Sequence, residues 1–146
     1  MIPIDPSNRW WMLRDDEGKR NRLVNFVLKV LSVCNPVNIF DLEEALKRSA
    51  SFRNSSHSSY NKDHDSQITF PPNEIILEKF RRNDRYVVDA NFIGSKEEFN
   101  YKDFFGNVEI GIIECLASSP TGVMSRNEIL KNCIDAGLNE HSVNIN

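Results

Sequence analysis

The chain has 146 residues, 40% of them hydrophobic, and a formal net charge of −3. That length buries roughly two thirds of the unfolded surface, enough for one domain or two small ones. No apolar run approaches the ~20 residues of a membrane span, and the start, Met1-Ile2-Pro3-Ile4-Asp5-Pro6, has no basic region leading into an apolar stretch. A cytoplasmic protein with no secretory signal and no membrane partner is therefore expected. Residues 1–92 carry 14 Lys/Arg against 13 Asp/Glu, and residues 93–146 carry 4 against 8. Phosphate neutralisation needs a basic face, so the charge balance disfavours DNA in the second part and leaves it open in the first. Cys34, Cys115 and Cys133 fall in apolar helical patterns and read as buried free thiols.

Residues 1–18 read as an irregular arm with Trp10, Trp11 and Leu13 as apolar anchors and a turn at Asp15-Asp16-Glu17-Gly18. Adjacent tryptophans most often cover a neighbouring core. Over 19–34, Leu23, Val27, Val30, Leu31 and Cys34 recur at helical spacing, and Asn35-Pro36 is expected to end that helix. A second helix is expected near 39–49, capped by Asn38, with Ile39, Leu42, Ala45 and Leu46 inward.

Residues 51–67 are polar and free of aliphatic side chains. Such a segment cannot offset its ordering entropy and reads as a surface loop. His57, His64, Asp63 and Asp65 there are weak metal candidates, and Asn54-Ser55-Ser56 is a weak glycosylation acceptor. A solvated loop is favoured over both.

Pro71-Pro72 opens a third helix at about 72–84, with Ile76, Leu77 and Phe80 inward. Lys79, Arg81, Arg82 and Arg85 crowd its second half. Tyr86-Val87-Val88, Asp89-Ala90-Asn91 and Phe92-Ile93 read as a small hairpin. Three helices followed by a hairpin is the order of a winged helix. Residues 94–107 read as a linker. A helix at about 108–117 follows, broken by Ser118-Ser119-Pro120-Thr121-Gly122.

Ser125 and Glu128 then have the S-x-x-E spacing of a capping box. Ile129, Leu130, Cys133 and Ile134 form its helical stripe, Gly137 supplies the left-handed stop, and Asn139 caps the next helix. Two short helices around so tight a turn make a helix-turn-helix. The expected fold is mainly α, with two tandem winged-helix-like units, each of three helices with a small β-hairpin, the second lacking its wing. The first unit spans 19–93 and the second 108–146. The second is expected to be completed by a missing C-terminal segment or a protein partner.

Trp10-Trp11-Met12-Leu13, Arg20-Asn21-Arg22-Leu23-Val24-Asn25, Lys29-Val30-Leu31-Ser32-Val33 and Asp41-Leu42-Glu43-Glu44-Ala45-Leu46-Lys47-Arg48 together resemble a tandem helix-turn-helix region of bacterial regulatory proteins. They are similar to the helix-turn-helix part of bacterial sigma factors. Pro71-Pro72, Tyr86-Val87-Val88 and Ala136-Gly137-Leu138-Asn139 fit the same pattern. The resemblance implies a winged-helix fold and a link to transcription regulation. The first unit departs from it by holding a long polar loop where ~3–4 residues usually join the second and third helices.

Two functions follow. In the first, the chain binds double-stranded DNA. Lys79, Arg81, Arg82 and Arg85 would meet phosphates or guanine edges, with Asn83 at a base. In the second unit Asn139, His141, Ser142 and Asn144 lie near the start of the third helix, where such helices touch bases. In the alternative, the chain docks on a polymerase subunit or another regulator, with Trp10, Trp11, Phe99, Phe104 and Phe105 as anchors. No Gly-rich phosphate loop, paired-Cys motif or H-E-x-x-H is present, so no catalytic residue, metal or cofactor is expected.

Overall fold

The computed structural model describes residues 2–7, 9–12, 21–49 and 70–145. The loop at 51–67, with its metal and glycosylation candidates, and the turn at 15–18 lie outside the described residues. The described chain is mainly helical with a small antiparallel sheet. It forms two compact units, Met1–Phe99 and Asn100–Asn146.

The first unit begins with a two-stranded ribbon, β1 (Ile2–Pro3) against β2 (Trp11–Met12), inside the arm expected to be irregular. Asp5 closes the loop between them. Its carboxylate accepts the Trp10 amide at 2.8 Å and the Ser7 hydroxyl. Trp10 is half-buried, while Trp11 is 54% exposed.

Helix α1 (Arg22–Leu31) is capped by Asn21, whose side chain accepts the Val24 amide at 3.2 Å. It stops before Asn35-Pro36. Ser32 turns its hydroxyl back onto the Lys29 carbonyl at 2.7 Å, and the chain leaves the helix there. Cys34 therefore lies beyond the helix and is exposed, contrary to the expectation of burial, while Cys115 is half-buried and Cys133 buried. All three are free thiols.

Strand β3 (Val37–Asn38) and helix α2 (Ile39–Arg48) follow directly. Asn38 serves both: it pairs in the sheet, and its side chain accepts the Phe40 amide at 2.9 Å as the helix cap. Helix α3 (Asn73–Arg81) is shorter than expected at both ends. Pro72 is its cap rather than a residue of its first turn. At the far end Asn83 bonds back to the Phe80 carbonyl and Tyr86 to the Asn83 carbonyl, so a tight turn replaces the last helical turn.

That turn feeds β4 (Tyr86–Asp89), which pairs with β5 (Phe92–Ser95) around Ala90-Asn91. Ala90 has φ of 48°. A two-residue hairpin turn calls for positive φ at its first central position. Gly94 and Ser95, expected in the linker, are the last residues of β5. The sheet order is β3-β5-β4, with Val37 opposite Ile93 and Asn38 opposite Phe92. The core joins all of these elements: Val27, Leu31, Val37, Ile39, Leu42, Leu46, Ile76, Leu77, Phe80, Tyr86 and Ile93 are buried together. Each large aliphatic or aromatic side chain there contributes about 1.5–3 kcal/mol of transfer free energy.

The second unit opens with a 3-10 turn at Tyr101–Asp103, then α4 (Asn107–Ser118), α5 (Arg126–Asp135) and α6 (Glu140–Ile145). Gly106 caps α4, its amide donating to the Glu109 carboxylate at 2.9 Å. Gly111 lets Leu138 lie against α4, since a Cβ there would overlap a Leu138 methyl. Among the described residues only Cys133 and Val143 of this unit are buried hydrophobics, and Ile134, expected inward, is 39% exposed. The turn after α5 has Gly137 at φ of 89°, and the Leu138 amide reaches the Cys133 carbonyl.

The capping box at Ser125 is formed as its spacing predicts. The Glu128 amide donates to Ser125 Oγ at 3.2 Å, and the Ser125 amide donates to Glu128 Oε2 at 2.8 Å. The Ser125 hydroxyl first, and the Ser125 amide second, hold the Glu128 carboxyl below the ordinary glutamate value. A depressed carboxyl pKa stabilises the fold above its unfolded value and loses that contribution as pH falls through the folded value. Ser125→Ala should cost about 1 kcal/mol. It should also flatten the acid limb of the unit's melting temperature between pH 5 and 2, read by circular dichroism.

Candidate nucleic-acid interface

The basic cluster at the end of α3 is built from three guanidinium groups and two carboxylates. Helical spacing sets Glu78 one turn before Arg81 and Arg82. Arg81 Nη1 lies 2.7 Å from Glu78 Oε2, and Arg82 Nε lies 2.8 Å from Glu78 Oε1. The Arg82 bond first, and the Arg81 bond second, hold the Glu78 carboxyl below the ordinary glutamate value.

Arg82 does more than pair. Its Nη1 donates to the Pro3 carbonyl at 2.9 Å and its Nη2 to the Ile4 carbonyl at 3.1 Å. One guanidinium thus clasps the N-terminal ribbon onto the end of α3. Arg85 sits past the turn and grips Glu97 with two nitrogens, at 3.3 and 3.2 Å. Asn83, offered as a base contact, accepts the Arg85 amide at 3.0 Å and shapes the turn.

Lys79 is placed apart from this cluster. It is only 7% exposed and lines a cleft of about 280 Å³ with Ile4, Trp10, Trp11, Leu23 and Ile75. The three arginines are exposed, Arg81 and Arg82 joined through Glu78, and Lys79 faces the arm instead. The exposed ion pairs contribute at most about 1 kcal/mol each. Each arginine nevertheless has a carboxylate, Glu78 for two of them and Glu97 for the third, so these pairs leave one positive charge in excess rather than a row of unmatched cations. Glu74 occupies the first turn of α3, the end that such a helix points at base edges.

In the second unit the candidates also have structural work. Asn139 Oδ1 accepts the Ser142 amide at 3.2 Å as the α6 cap. Asn144 Oδ1 accepts Arg126 Nη2 at 3.2 Å. His141 is exposed and Ser142 half-buried. Glu140 lies in the first turn of α6, where a carboxylate would face an incoming phosphate.

Sequence reasoning missed the partners, namely Glu78, Glu97 and the Pro3 and Ile4 carbonyls. The Glu78 spacing to Arg81 and Arg82 was a readable signal. The carbonyls gave none, because the arm's path is decided in three dimensions.

Among the described residues no group of three or more His, Cys, Asp or Glu side chains could hold a metal ion, and no helix is long and apolar enough to cross a membrane. No protein family, no curated protein and no solved structure matches this chain.

Proposed function

We propose that the chain is a non-enzymatic, transcription-associated helix-turn-helix module whose first unit is a winged helix, and that it works by docking on a protein. One observation carries the fold reading. A short strand between α1 and α2 joins the hairpin that follows α3, giving the order α1-β3-α2-α3-β4-β5 with β5 in the centre. That order supports the winged-helix reading. The second unit supplies the tight α5–α6 turn of a helix-turn-helix, with no hairpin among its described residues.

The protein reading rests on where charge and apolar surface lie. At the α3 end each arginine is paired, two of them sharing Glu78 and the third on Glu97. Phe40, Val87 and Phe92 of the first unit are each more than 40% exposed. Large exposed side chains of this kind supply the buried anchors of protein interfaces.

Duplex DNA is the second reading, favoured by the exposed guanidinium groups of Arg81, Arg82 and Arg85. A phosphate could replace the carboxylates at small cost, since exposed pairs are weak. Fluorescence anisotropy with a labelled random-sequence duplex in physiological salt separates the two. Binding no tighter than about 10⁻⁴ M, equal in wild type and Arg81→Ala/Arg82→Ala, is the expected result. Tighter binding that weakens steeply with salt and is lost in the double variant would move the function to DNA.

A further inference from the structure

Three sulfur-bearing side chains of the second unit converge at one place. Cys115 stands in the last turn of α4, Cys133 in the second half of α5, and Met124 in the segment between the two helices. That segment folds back on itself. The Ser119 hydroxyl donates to the Val123 carbonyl at 3.0 Å, and the Thr121 hydroxyl to the same oxygen at 3.3 Å. Met124 is thereby returned to α4, with its sulfur 3.4 Å from Cys115 Sγ. The same Met124 sulfur accepts Asn132 Nδ2 at 3.8 Å, one residue before Cys133.

A second set of contacts brings Cys133 to the same face of α4. Gly111 and Cys115 are one turn apart and share that face. Leu138 lies against Gly111, and its amide donates to the Cys133 carbonyl at 3.0 Å. The last turn of α5 is thus held on the face of α4 that carries Cys115, and there the Cys133 thiol bonds to the Cys115 sulfur. Both are free thiols, unequally placed: Cys115 is half-buried, and Cys133 is 1% exposed. Burial first, and Cys115 second, push the Cys133 thiol up, so at rest it keeps its proton. Cys115 is the sulfur that a reagent from solution meets first.

We propose that Cys115 and Cys133 are a redox pair: a hydroperoxide oxidises Cys115, and Cys133 then closes a disulfide between α4 and α5. In the first step the Cys115 thiolate attacks one peroxide oxygen. An S–O bond forms, the O–O bond breaks, and the leaving oxygen takes a proton and departs as water or alcohol. Cys115 is left as the sulfenic acid. In the second step the Cys133 sulfur attacks the Cys115 sulfur. The S–S bond forms, the S–O bond breaks, and hydroxide leaves with the Cys133 proton as water. The two sulfurs are oxidised by two electrons in all, and the peroxide is reduced by the same two. Both end states, two thiols or a disulfide, are uncharged and suit apolar surroundings. Among the described residues only Cys133 and Val143 of this unit are buried hydrophobics, and a covalent tie is what so small a core lacks. Oxidation therefore locks the first two helices of the helix-turn-helix together. The inference is independent of which partner the module takes.

The test uses the full chain carrying Cys34→Ser, which removes the exposed thiol, treated with hydrogen peroxide and digested without reductant. Mass spectrometry should show one pair of peptides joined through Cys115 and Cys133, in an intact chain lighter by two hydrogens. Dithiothreitol should restore both thiols. In the same background Cys133→Ala should leave Cys115 as a sulfenic acid that dimedone traps, and Cys115→Ala should leave Cys133 a thiol. Circular dichroism checks that each variant folds, and peptide mapping of the Cys34→Ser chain decides alone where one does not. Amide exchange in α4 and α5 should slow by about tenfold or more once the bond is closed, with residues 22–95 unchanged. Two intact thiols beside a Met124 that has gained an oxygen overturn the proposal. So does a bond that joins two chains, or one that forms only after denaturant has removed the exchange protection of α4 and α5.

Discussion

Phe80→Ala is expected to remove a large share of the first unit's stability and lower its melting temperature markedly. Phe80 is 1% exposed, and its ring meets Tyr86 edge-to-face with centroids 4.8 Å apart. It connects α3 to the sheet, so its loss opens the contact between α3 and β4 as well as leaving a void. Truncating a buried Phe costs about 3–5 kcal/mol, and an edge-to-face pair adds ~0.5–1.5 kcal/mol beyond area. A unit of 99 residues has roughly 5–15 kcal/mol in total. Hydrogen exchange should show faster exchange across α1, α2, α3 and the sheet, with amides of residues 107–145 unchanged. Equal loosening of both units would show that they do not fold as separate cores.

The second large effect is expected at Cys133→Asp. Cys133 is 1% exposed, and burial is the main cause that pushes its thiol pKa up. Cys115 is the smaller contributor, and it also approaches Met124, with sulfur atoms 3.4 Å apart. The surroundings are therefore apolar and poor at solvating a charge. Placing a carboxylate there costs several kcal/mol unless it protonates or the helices separate. A 47-residue unit has only about 2–7 kcal/mol to lose. Loss of exchange protection in α4, α5 and α6, with the first unit's core intact, is the expected pattern. Stability should return in part at low pH, where the new carboxyl takes up a proton. No recovery on acidification would mean that the site is open to water.

The helices were legible wherever a stripe and a cap coincided. Ser125 with Glu128, Asn38 before Ile39, and Gly137 after α5 each act locally, so their spacing alone announces the boundary. The ends of α1 and α3 were not, because the Ser32 hydroxyl and the Asn83 amide end them with bonds to main-chain carbonyls that many sequences can make. The strand β3 has two residues and no pattern of its own. It exists because Ile93 and Phe92 offer Val37 and Asn38 a neighbour from far along the chain. The candidate site was half legible. The arginines could be named, since they are crowded in sequence. Their engagement by Glu97 and by the arm could not, since those partners come from other elements. Lys79 shows the same limit. Its position beside Phe80 on α3 placed it among surface candidates, yet the Trp10 and Trp11 arm covers that side.

The Arg82 clasp has a consequence for how the chain tolerates change. Its acceptors are main-chain oxygens, so the clasp itself does not depend on the side chains of the third and fourth residues, although Ile4 is buried for its own packing. The donor is another matter. Two neighbouring carbonyls and a carboxylate are met together by a flat, forked cation, and an ammonium on a flexible stem cannot reproduce that geometry. The first few residues are therefore held in place by one side chain nearly eighty positions downstream, and even lysine at that point would let them go.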